Sequence, residues 1–101
     1  MKRYYTVTMN DDNVYGIPAE IIADNYAKYC ASKGEDYMEN FKAMIAWYDA
    51  NEYKFADWAK NNMDWDDVAD QAILLRTIGR KRADYQECWV NGEYGYERVE
   101  D

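Results

Sequence analysis

The chain has 101 residues, a formal net charge of −8, 49% hydrophobic and 17% aromatic content, two cysteines and no histidine. That is one domain with enough apolar area for a core, which excludes a disordered chain and a disulfide scaffold, and no run approaches the ~18 apolar residues of a membrane span. An acidic surface also repels phosphate backbones and anionic headgroups, so direct binding to nucleic acid or membrane is not expected.

Residues 3 to 9 alternate, with Tyr5, Val7 and Met9 on one face and Tyr4, Thr6 and Thr8 on the other, which predicts a half-buried strand. A polar turn at Asn10-Asp11-Asp12-Asn13 and a return strand over Val14 to Ile17 complete an N-terminal hairpin. Pro18 suits the first position of a helix running to Lys33, with Ile22, Tyr26, Tyr29 and Cys30 on one side and Gly34 as its stop. Asp36 and Glu39 have capping-box spacing ahead of a second helix that carries Tyr37, Phe41, Met44, Ile45 and Tyr48 and ends near Ala50.

Asn51 is placed to cap a third helix containing Phe55, Trp58, Ala59 and Met63, although no Gly or Pro separates the two helices and one bent rod is the alternative. Asp64 caps a short turn through Trp65 and Val68. Ala72 to Thr77 reads as a buried strand, and Gly79-Arg80-Lys81-Arg82 as a basic loop. Gln86 to Val90, Asn91-Gly92 and Glu93 to Val99 give the strongest hairpin signal, because Asn-Gly supplies the positive φ angles of a type I′ turn. The expectation is a single α+β domain over residues 1–101: an antiparallel sheet of about four strands, from N- and C-terminal hairpins, with two to three helices packed on one face.

The chemistry of this chain is sparse. Eleven Tyr and four Trp against two Phe favour side chains with an apolar body and a polar tip, which suit the core margin of a small domain or a protein contact face. Cys30 and Cys88 lack CxxC spacing, and the N-terminus enters a strand pattern rather than an apolar signal core, so a soluble intracellular protein with reduced thiols is expected. Without histidine, an enzyme would need Asp, Glu, Cys, Lys or Tyr at shifted pKa to move protons, and no catalytic residue is assigned.

The Asp64, Asp66, Asp67 and Asp70 cluster invites a cation-site reading. In an EF-hand register starting at Asn62, however, Asp67 stands where glycine is needed and Ile73 where the bidentate glutamate is needed. Acids at the positive end of a helix are the better account, so no metal and no cofactor are expected. Arg76, Arg80, Lys81 and Arg82 read as solvated or internally paired cations rather than a phosphate patch.

Ten carboxylates lie between Glu35 and Asp70 against three lysines. Carboxylates at i and i+3 or i+4 on a helix lie ~5 to 6 Å apart, close to the spacing of backbone phosphates, and Asp36/Glu39, Asp49/Glu52 and Asp66/Asp70 are such pairs. The expected contact set is Asp49, Glu52, Asp57, Asp64, Asp66, Asp67 and Asp70, meeting Arg or Lys of a basic host protein surface, with Tyr53 and Trp65 as anchors. Solubility is the bland explanation of the same charge.

The stretches VYGIPAEIIADNYAKY, FADWAKNNMDWDDV and DYQECWVNGEYGY resemble a group of small uncharacterised proteins encoded by bacteriophages and prophages, a resemblance over most of the chain. It implies a phage accessory product acting in the cytoplasm of a bacterial host, with no catalytic residues to carry over. By analogy with other small acidic phage proteins, it suggests an inhibitor of host defence of the anti-CRISPR kind. A non-catalytic acidic protein-binding domain is therefore the first expectation. A structural or self-associating protein, pairing as a homodimer through a sheet edge or its aromatics, is the second. A small enzyme or ligand-binding domain with a pocket between sheet and helices is the third.

Overall fold

The computed structural model describes residues 1–9, 13–77, 88–90 and 92–100. The turn expected at 10–12, the basic loop at 79–82, residues 86–87 and Asn91 lie outside them. β1 (Lys2–Thr8) and β2 (Asn13–Pro18) form the expected antiparallel hairpin, with Tyr5 opposite Ile17 and Val7 opposite Tyr15. β3 (Ile73–Thr77) pairs with the outer side of β2 and β4 (Tyr94–Val99) with the outer side of β1, giving a four-stranded antiparallel sheet in the order β3-β2-β1-β4.

The α+β class holds, but the C-terminal hairpin does not. Residues 88–90 are helical, and β4 pairs with β1, with Tyr96 opposite Tyr5. The glycine of the Asn-Gly signal has another cause. The Gly92 N–H donates to the Cys88 carbonyl at 2.7 Å, and a Cβ on Gly92 would lie 2.5 Å from that oxygen and 2.7 Å from the Thr8 carbonyl. Two pieces of main chain approach too closely there for any side chain.

The helices are α1 (Ala19–Ser32), α2 (Tyr37–Asp49), α3 (Tyr53–Asn62) and the short α4 (Trp65–Val68), which runs into a 3₁₀ turn at Ala69–Gln71. Pro18 is the last residue of β2 and sits one position before the helix it was expected to open. Gly34, at φ +87°, closes α1 in a Schellman motif: its N–H donates to Ala31 C=O and the Glu35 N–H to Cys30 C=O, both at 3.0 Å. Asp36 caps α2 as expected, its carboxylate accepting from the Glu39 N–H at 2.7 Å.

The same Schellman device ends α2. Asn51, at φ +55°, donates its N–H to Tyr48 C=O at 3.0 Å, and the Glu52 N–H donates to Trp47 C=O at 2.9 Å. Asn51 therefore closes α2 instead of opening α3, whose N-cap is Glu52, and the bent-rod alternative is excluded.

The helices cover the sheet face that carries Tyr5, Val7 and Ile17, and Ile22, Met44, Tyr48, Phe55 and Val68 fill the space between. The opposite face carries Tyr4, Thr6, Val14 and Gly16, with Leu75 against Gly16 and an Arg76–Glu97 ion pair of 3.0 Å reaching from β3 to β4. In the core, most polar tips find backbone partners. Tyr48 donates to Tyr4 C=O at 2.6 Å, while Trp89 Nε1 donates to Ala59 C=O at 2.9 Å, with Met63 C=O at 3.1 Å.

Tyr5 is the exception, fully buried with a hydroxyl that has no hydrogen-bond partner among the described residues. Burial pushes its pKa strongly upward, so it remains a neutral, unsatisfied donor. Tyr5→Phe should leave urea stability unchanged or raise it by about 1 kcal/mol, whereas Tyr48→Phe should lower it by about 1 to 2 kcal/mol by orphaning a buried carbonyl. Gly92→Ala should cost about 1 to 3 kcal/mol, the penalty of forcing atoms into a close-packed site.

Candidate functional site

At the end of α2 one member of the expected contact set, Asp49, already has an internal partner. Asp49 is gripped by the Arg3 guanidinium in bidentate fashion, Nε to Oδ1 at 2.7 Å and Nη2 to Oδ2 at 3.0 Å, with Arg98 Nε 3.9 Å away. Arg98 also donates from Nη2 to Tyr48 C=O at 2.9 Å, to Asp49 C=O at 3.1 Å and to Asn51 Oδ1 at 3.1 Å, with its guanidinium carbon 4.9 Å from the centre of the Tyr48 ring. These are the last carbonyls of a helix, where a cation also meets the negative dipole end. Hydrogen bonding from Arg3 holds the Asp49 carboxyl below its ordinary 3.8. Asp49 is thus an exposed carboxylate held in an internal ion pair.

The remaining acids are displayed differently. Asp64 and Asp67 form a reciprocal capping box at the start of α4, with the Asp64 N–H donating to Asp67 Oδ2 at 2.8 Å. Asp57 accepts from Asn61 Nδ2 at 2.9 Å one turn along α3. Glu52, Asp57, Asp64, Asp66, Asp67 and Asp70 are all exposed. Among the described residues, ion pairs join Arg3 and Arg98 to Asp49, Lys28 to Asp24 and Arg76 to Glu97, and these use none of Glu52, Asp57, Asp66, Asp67 or Asp70.

The lysines of α3 are directed elsewhere. Lys54 Nζ lies 5.2 Å from the Trp47 ring centre and Lys60 Nζ 4.1 Å from that of Tyr94, so both sit as cation–π partners on aromatic faces. Tyr53 is 55% exposed and leans on Tyr94 at 6.2 Å between ring centres, which leaves it accessible as an anchor. Trp65 is not: it packs inward on Tyr15 and Trp89, at 5.5 and 6.3 Å.

β3 departs from expectation in a way that matters for the surface. It forms the strand read from Ala72 to Thr77, but Ile73 and Leu74 are 45% and 51% exposed because the strand lies at the sheet edge. A run of apolar residues without alternation gave the signal of burial on both faces, and the sequence held no sign of edge position.

A shallow depression of about 270 Å³ beside β1 is lined by Met1, Lys2, Arg3, Tyr4, Pro18 and Glu20. Its lining includes none of the acids of α3 and α4, and its one carboxylate, Glu20, is exposed. Among the described residues no three Cys, Asp or Glu side chains converge as a cation site requires, and no helix is long and apolar enough to cross a membrane. The chain matches no family model, no curated protein and no solved structure.

Two depressed carboxyl pKa values set the acid response, that of Asp49 through Arg3 and that of Asp24 through the Tyr37 hydroxyl and Lys28. Each contributes stability that is fully present above the unfolded carboxylate pKa and is lost as pH falls through the lower folded value. Thermal denaturation should therefore show a melting temperature that declines below pH ~4, and Asp49→Asn should flatten part of that decline.

Proposed function

We propose that this domain is non-catalytic and binds a basic protein surface through the exposed acids of α3 and α4, as a phage-encoded inhibitor does when it covers the nucleic-acid-binding groove of a host defence protein. The observation that carries this reading is the division of charge. Arg3, Arg98, Arg76 and Lys28 are bound in internal ion pairs, and Lys54 and Lys60 lie on aromatic rings, while Glu52, Asp57, Asp66, Asp67 and Asp70 face solvent without a cationic partner among the described residues. A field of one sign at the surface steers an oppositely charged partner into contact and discriminates against acidic ones. Tyr53, exposed and next to Glu52 in the chain, would serve as an aromatic anchor.

The test is affinity capture from a bacterial lysate at low and high salt, followed by association kinetics with the captured protein. Association should slow by about tenfold or more as the Debye length shrinks below ~10 Å, and the Asp66→Asn, Asp67→Asn, Asp70→Asn triple variant should reproduce that slowing at low salt. An affinity indifferent to both salt and the triple variant rejects the proposal.

A further inference from the structure

We infer that β3 is a docking edge, to which a basic partner segment adds as a further strand while its Lys or Arg side chains meet Asp66, Asp67 and Asp70. This rests on the acidic-surface reading above and gives it a geometry. Among the described residues β3 has one strand neighbour, β2, so the main-chain groups along its other side have no ladder partner. An edge strand that is used up within its own fold buries every second side chain. Here two adjacent residues, Ile73 and Leu74, are each about half exposed, which leaves apolar surface on both faces of the strand.

β4, the other edge, differs. Its Tyr96 hydroxyl bonds to Glu52 C=O and its Arg98 bonds to the end of α2, so alternate side chains are committed internally. β3 carries no proline or inward-pointing charge, its one charged residue, Arg76, is paired with Glu97, and the irregularity in its ladder falls at Leu75, after Ile73 and Leu74.

Charge selects the occupant. The residues leading into β3, from Asp64 to Ala72, hold four aspartates and no cation, and Asp66, Asp67 and Asp70 are exposed. A second copy of a chain with net charge −8 would bring its own acidity to this edge, whereas an extended segment alternating apolar and basic residues would satisfy the backbone, the aliphatic surface and the aspartates together.

The probe is a capped, monomeric peptide alternating valine or threonine with lysine, compared with its glutamate counterpart and with a version N-methylated along one edge. Titrated into the full chain, the lysine peptide should slow amide exchange in β3 and shift resonances in β3 and α4. The glutamate and N-methylated peptides should each bind about tenfold more weakly or worse, as expected for lost charge pairing or one to two lost net hydrogen bonds. Leu74→Lys, a change at a half-exposed side chain, should weaken the lysine peptide comparably with the helical spectrum unchanged.

If the N-methylated peptide binds equally well and β3 amides stay unprotected, strand addition is overturned, while a residual dependence on Asp66, Asp67 and Asp70 would leave the acidic-surface reading standing. If the glutamate peptide binds as well as the lysine one, both readings fail. Sedimentation as a dimer, with β3 amides already protected before peptide is added, makes a second copy the occupant and overturns the inference.

Discussion

Where α2 stops and α3 begins, the chain turns within three residues, and the backbone groups of two helix ends are left without intrahelical partners at one place. β4 satisfies both. Arg98 donates to the last carbonyls of α2, and the Tyr96 hydroxyl donates to Glu52 C=O at 2.7 Å while accepting the Ala56 N–H at 3.2 Å, acting as the cap that the side chain of Glu52 does not provide. Burial pushes the Tyr96 hydroxyl up to about 12, so it remains a donor throughout the physiological range. At the far end of α3, the Trp89 indole N–H meets Ala59 C=O. The C-terminal part of the chain thus fixes a helix that has few capping groups of its own, and it does so only because β4 pairs with β1 at the centre of the sheet. Tyr96 and Trp89 show one use of such side chains that Phe could not fill, since each packs its ring inward and bonds a helix end with its polar tip.

That construction also explains how charge is distributed. The cations resolved near the core margin serve structure: Arg98 closes α2, Arg3 holds Asp49, Lys60 covers Tyr94, and Trp47 takes Lys54. Among the described residues, the exposed carboxylates Glu52, Asp57, Asp66, Asp67 and Asp70 take part in none of the ion pairs. The concentration of negative charge is already a property of the linear sequence, which places ten carboxylates between Glu35 and Asp70.

Local signals were legible where the physics is local. The alternation of Tyr5, Val7 and Met9, the stop at Gly34 and the cap at Asp36 each depend on a few neighbouring residues and appear where the sequence indicates. Asn51 and Gly92 were misread because one residue type serves several geometries. Asn caps either helix end, and Gly is needed both for positive φ and for close main-chain approach. The pairing of Asp49 with Arg3 spans 46 residues and has no local trace. Exposure of Ile73 and Leu74 is likewise set by which strands join the sheet, a property of the whole topology.

Solubility and recognition need not compete as explanations of the acids. An unpaired sheet edge attracts other edges without regard to identity, and charged residues beside it are a common means of preventing such contacts. Aspartates leading into β3 oppose pairing between copies of this acidic chain, because each copy brings the same field to the edge. In the proposed docking the same aspartates would lower the free energy of a basic strand in that position. Asp66, Asp67 and Asp70, which precede Ile73 and Leu74 in the chain, would thus disfavour a second acidic copy and favour a basic partner, with the discrimination coming from sign alone.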